Sequence, residues 1–107
     1  MTAGFRFCYN ERLGIRLPEI DHAWEEYSES ERAHILLEWE QIRGSIPDRV
    51  RYFEEHIKRK LEQLSDEEDF ASSCRINTDI AELASRINDL HLWYRINQGI
   101  EVERTHN

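Results

Sequence analysis

The sequence predicts a mainly α protein: an antiparallel helical hairpin with an N-terminal helical region packed across it, becoming α+β if short strands form at the termini. Three observations carry this expectation. Ile76, Ile80, Leu83, Ile87, Leu90 and Tyr94 recur at 4-3-4-3-4 spacing, one continuous apolar seam along a helix. Val50, Phe53, Ile57, Leu61 and Leu64 form a second stripe at 3-4-4-3 spacing. Four Gly and two Pro in 107 residues are too little turn punctuation for a many-stranded β fold.

The chain reads as a single domain in four stretches: 1–17 extended, 18–43 acidic and helical, 45–98 the helical hairpin, and 99–107 a tail or short strand. Phe5-Arg6-Phe7-Cys8-Tyr9 alternates aromatic with smaller or charged side chains, the period of a strand with one aromatic face. Asn10 to Gly14 supplies turn residues, and Ile15-Arg16-Leu17 suits a second extended piece. Ile100-Glu101-Val102-Glu103 alternates after Gly99, so a patch of two or three strands joining the chain ends is expected.

Pro18 suits the first turn of a helix, where its missing N–H costs nothing, with Ile20, Ala23, Trp24 and Tyr27 on one face. Ser28 and Glu31 fit a capping box that opens a helix carrying Ile35, Leu36, Trp39 and Ile42 inward, with Gly44 at its end. Ser45-Ile46-Pro47-Asp48 reads as the next helix start. Ser65 to Glu68 is a further capping box, opening a helix from about Asp66 to Gln98 with Gly99 as terminator. Such a rod is roughly 50 Å long at about 1.5 Å per residue. A compact chain of this size is only about 34 Å across. The molecule is therefore elongated, or dimeric, or the helix breaks near Ser72-Ser73 and Asn77-Thr78-Asp79, which are poor helix formers.

The net charge of −8 is unevenly placed. Residues 19–40 hold eight acids and one base, residues 43–60 six bases and three acids, and residues 61–70 five acids and no base. Overall acidity opposes contact with phosphate backbones, so no direct nucleic-acid partner is expected. The basic run Arg49, Arg51, Lys58, Arg59 and Lys60 is interleaved with Glu54, Glu55 and Glu62, and Glu54–Lys58 and Glu55–Arg59 have the favourable i,i+4 order for surface pairs. The longest aliphatic run is Ile35-Leu36-Leu37, which predicts no membrane span. Cys8 and Cys74 stand alone and no apolar leader opens the chain, so a cytoplasmic protein with free thiols is expected.

Candidate chemistry is sparse. Glu-x-x-His occurs as Glu19/His22, Glu31/His34 and Glu103/His106, the ligand unit of di-iron bundles, but none is flanked by a strongly apolar bundle interior. The clustered acids Glu54-Glu55, Glu62 and Glu67-Glu68 resemble helical nucleotide pyrophosphohydrolases of the MazG type, whose helices hold Mg²⁺ through carboxylates. Of that family's paired E-x-x-E and E-x-x-D, the second is absent and Asp79-x-x-Glu82 reverses its order, so no site residue follows from the resemblance. Cys8 and Cys74 read as packing residues and His91 as a buried seam histidine. No catalytic residue, metal ligand or cofactor is expected.

The leading expectation is a non-enzymatic protein–protein interaction module that pairs with itself as a homodimer or with another protein. The broad apolar band of Leu90, Leu92, Trp93 and Tyr94 is its candidate surface. In the competing arrangement Trp93 covers Phe5 and Phe7 within the chain. Two other functional classes stand beside it: an acidic inhibitor of a basic nucleic-acid-binding protein, and a small helical metal-dependent hydrolase.

Overall fold

Alternation at the N-terminus produces a real hairpin. In the computed structural model, which describes residues 4–106 with side chains through Ile96, β1 (Phe5–Asn10) pairs antiparallel with β2 (Ile15–Ile20). Asn10 closes the turn twice: its Oδ1 accepts from Leu13 N at 2.9 Å and its carbonyl accepts from Gly14 N at 2.7 Å. Gly14 sits at φ 76°, where a side chain is strained. Pro18 does not open a helix, as its position suggested; it lies in β2 opposite Phe7. A two-stranded ribbon leaves one edge of each strand free, so a residue without an N–H is tolerated at a non-hydrogen-bonded pair. The helix expected from Pro18 shrinks to a single 3-10 turn, Trp24–Glu26, where Ala23 N donates to Glu26 Oε2 at 3.0 Å.

Helix α1 (Glu29–Arg43) opens with the expected capping box: Glu31 N donates to Ser28 Oγ at 3.1 Å, and Ser28 N donates to Glu31 Oε1 at 2.7 Å. Helix α2 (Ile46–Asp66) follows after two residues. Pro47 forbids one straight helix, because its ring would strike the carbonyl four residues back, on Arg43. Gly44 and Ser45 keep helical dihedrals (φ −62°, ψ −20° and φ −87°, ψ −11°), so the chain bends rather than uncoils. The Ser45 hydroxyl donates to Ile42 O at 2.6 Å and seals the elbow.

Helix α3 (Phe70–His106) returns antiparallel along α2. Its cap is Asp69, whose Oδ2 accepts from Ser72 N at 2.9 Å; Ser65, the expected cap, lies inside α2 instead. Glu67 to Asp69 make the whole link. The helix is unbroken through 72–78 and passes Gly99, so the strand expected at 100–103 is helical. One glycine in a long helix costs only about 1 kcal/mol, less than the turn it would otherwise nucleate. The sheet accordingly uses the N-terminal segment alone and does not join the chain ends. The molecule extends 59 × 26 × 19 Å with a radius of gyration of 18.4 Å, well above the roughly 13 Å of a compact chain.

The core gathers at the elbow. Trp39 and Ile42 of α1, Ile46, Val50 and Phe53 of α2, Leu90 of α3, and Leu13 and Ile15 of the hairpin form one buried cluster. Away from it cover thins: along α2, exposure rises from 2% at Phe53 to 51% at Leu61. Beyond Phe53 the two helices protrude as an arm whose seam residues Ile57, Leu64, Ile76 and Ile80 are half-buried.

Candidate interaction surface

The four residues of the expected band fall into different environments. Leu90 is fully buried inside this chain, so it is core and not surface. Trp93 is half-buried, with its ring edge-on to Trp39 at 5.9 Å between centroids, and both it and Phe7 pack against the core cluster. Tyr94 is half-buried beneath Arg43, whose guanidinium sits 4.1 Å above the ring while its Nε donates to Tyr94 O at 2.7 Å. Leu92 alone lies open, at 51% exposure. Helical rotation of about 100° per residue separates it from Leu90. His91, expected to be buried, is exposed for the same reason.

Leu92 belongs to a second stripe of α3. Phe70, Cys74, Asn77, Ala81, Ala84, Asn88 and Leu92 recur at 4-3-4-3-4-4 spacing, about a third of a turn round from the seam that meets α2. All seven are exposed, and none is charged. Phe70 at one end is 82% exposed. Hydrophobic periodicity missed this stripe because its middle is small or polar; the legible signal was a run of uncharged residues at heptad-like spacing in a chain that is 34% charged.

Next to that face, the hairpin is pinned to α3. Arg12 donates from Nε to Glu82 Oε1 at 3.1 Å, from Nη1 to Asp89 Oδ2 at 2.6 Å and from Nη2 to Ser85 Oγ at 2.8 Å. Hydrogen bonds from Arg12 and then Arg86 hold the Glu82 carboxyl below its ordinary pKa. Nothing in the sequence links Arg12 to α3, because its partners are seventy or more positions away.

Most acids of residues 19–40 are occupied locally. Glu19 and Asp21 pair with Arg6 at 3.0 and 3.3 Å, and Glu38 with Arg16 at 3.5 Å. Glu26 and Glu31 cap backbone N–H groups, and Glu40 meets Arg43 at 3.0 Å. The Glu-x-x-His pairs do not converge on a common centre: Glu19 faces Arg6, His22 packs edge-on against Tyr27 at 5.8 Å, and His34 lies 3.7 Å from Glu38. The side chains of Glu103 and His106 fall outside the described residues. Glu54, Glu55, Glu62, Glu67 and Glu68 are all exposed. Among the described residues no three His, Cys, Asp or Glu side chains gather so that they could hold a metal ion, and no helix is long and apolar enough to cross a membrane. Cys74 is exposed; Cys8 is half-buried, and hydrogen bonding to Glu19, followed by burial, raises its thiol pKa.

No protein-family model, curated protein or solved structure matches this chain, so its functional reading rests on this surface.

Proposed function

We propose that this protein is a non-enzymatic interaction module that pairs with a second copy through the exposed stripe of α3. The observation that carries the reading is the uncharged row from Phe70 to Leu92 on an otherwise highly charged rod. The row is self-complementary when two copies run antiparallel with Ala81 at the two-fold axis. Phe70 of one copy then faces Leu92 of the other, Cys74 faces Asn88, and small side chains meet at the centre, where helix axes must approach to about 8–10 Å. The same arrangement sets Arg95 of one copy beside the acidic link Asp66-Glu67-Glu68-Asp69 of the other, so the ends agree in charge as well as in size. The paired length, about 33 Å of helix, is enough for a coiled-coil-like seam.

Native mass spectrometry and sedimentation equilibrium test this directly. The wild-type chain is expected as a dimer, and Ala81→Arg as a monomer with unchanged helical circular dichroism, because Ala81 is exposed in the single chain. Ala81→Cys in a Cys74→Ser background is expected to cross-link across the axis on mild oxidation. A wild-type monomer at high micromolar concentration, or an Ala81→Arg variant that remains dimeric, overturns the assignment.

A further inference from the structure

Between the start of α2 and the far end of α3 lies an open groove of about 340 Å³. Ile46, Pro47, Val50 and Tyr94 give it an apolar wall, and Arg51, Glu54 and His91 complete its lining. Arg43, stacked on the Tyr94 ring, and the exposed Arg95, one turn beyond His91, add positive charge beside it. The other end of the rod carries a complementary feature. Phe70 is 82% exposed, the most open large apolar side chain among the described residues, and it follows four consecutive acids from Asp66 to Asp69. A bare phenyl ring leaves apolar area in water that an interface would recover. Groove and ring cannot meet inside one molecule, because Tyr94 lies about 36 Å further along the same helix at about 1.5 Å per residue.

We propose that this groove is the socket for Phe70 of a second copy, so that each dimer carries two such anchors. The inference rests on the antiparallel α3 pairing proposed above, and it adds α2 to an interface so far built from α3 alone. Phe70 and Leu92 stand equally far from Ala81 along the helix, so one two-fold axis fills both grooves at once. The pairing brings Phe70 of one copy level with Leu92 of the other, and Leu92 lies between His91 and Tyr94 on one helical turn. A modest roll of the partner helix towards α2 carries the ring off Leu92 and into the groove. Charge agrees with this seating: the acids before Phe70 arrive beside Arg43, Arg51 and Arg95, and Glu54 is the one acid among the described lining residues.

The test places the photo-cross-linker p-benzoylphenylalanine at position 70 of the full chain, irradiates the protein and maps the adducts by tandem mass spectrometry. Adducts are expected within residues 46–54 and 91–95, which only the ring of a second copy reaches. Phe70→Ala should raise the dimer Kd about ten-fold or more. Its helical circular dichroism should not change, because the ring is already exposed in the single chain. Glu54→Lys removes the acid that opposes the partner's acidic link, and should tighten the dimer a few-fold, more so at low salt. A dimer whose adducts fall elsewhere, whose Kd is indifferent to Phe70→Ala, or which Glu54→Lys weakens, overturns the socket and leaves the α3 pairing standing. A wild-type chain that stays monomeric at high micromolar concentration overturns both.

Discussion

Arg12, in the turn between the strands, places Nη1 2.6 Å from Asp89 Oδ2 on α3, and this contact anchors the sheet to the long helix. The same guanidinium reaches Glu82 and Ser85, about two turns and one turn before Asp89 respectively, so three donors hold one helical face. The groups are more than a third exposed, with 36% for the Arg12 side chain and 39% for Asp89. Solvent therefore screens the pair, and the three-point hydrogen bonding to Glu82, Ser85 and Asp89 rather than bare Coulomb attraction decides its worth. Arg12→Met should lower stability by about 1 kcal/mol and reduce Tm by a few degrees. Thermal unfolding followed by circular dichroism checks this; an unchanged Tm would remove Arg12 as the anchor.

Gly14 stands at φ 76°, and a Cβ there would run into the guanidinium of Arg49. That guanidinium is held by Leu13 O at 3.2 Å and stacks 4.4 Å above Tyr52, so it has little room to retreat. Gly14→Ala combines left-handed backbone strain with a displaced side chain, and should cost about 1–3 kcal/mol. Urea denaturation gives the figure directly, and a neutral result contradicts the turn geometry.

Leu90 and Leu92 are two positions apart yet differ completely. Leu90→Ala should cost about 2–5 kcal/mol, because the side chain is fully enclosed by the elbow. Leu92→Ala should leave single-chain stability within about 0.5 kcal/mol. On the proposed two-fold pairing, Leu92→Asp instead weakens self-association. Equal destabilisation by both alanine variants is the outcome that contradicts the burial pattern.

Acid should loosen the arm. The Asp69 carboxyl is held below its ordinary pKa by the Ser72 N–H at the start of α3, and Glu82 by Arg12 and Arg86. In both, the unfolded chain binds the proton more tightly than the folded one. Their stabilisation is full above the ordinary carboxylate values of about 3.9 and 4.3. It is lost as pH falls through those values toward the lower folded ones. Asp69→Asn keeps a good cap but removes the titration, so its stability curve should be flatter than wild type below about pH 4. Parallel acid curves for the two proteins would show that Asp69 is not the group responsible.

Thiol chemistry separates the cysteines. Cys74 is open on α3, whereas Cys8 is half-buried with a thiol pushed up by Glu19. Iodoacetamide at neutral pH should alkylate Cys74 well before Cys8. Peptide mass mapping over time reads the order, and faster labelling of Cys8 would reverse the assignment. On the proposed pairing, Cys74 labelling also slows as protein concentration rises.

What the sequence determined by itself is local. The two seams, the Ser28–Glu31 capping box, the stop at Gly44 and the restart before Pro47 are written in spacings of three and four residues, and α1, α2 and their antiparallel partner α3 follow from them. Tertiary structure decided what depends on distant neighbours. Pro18 joined a strand because Phe7 lies opposite it, and only the paired ribbon provides a place for a residue with no N–H. Arg12 became an anchor through partners on α3 that no local pattern links to it. The band at Leu90, Leu92, Trp93 and Tyr94 was legible as apolar but not as divided, because the elbow sets which side of α3 is covered. The groove, likewise, exists only where the start of α2 meets the far end of α3. Helical periodicity says which residues share a face; only packing says which faces meet and which stay open.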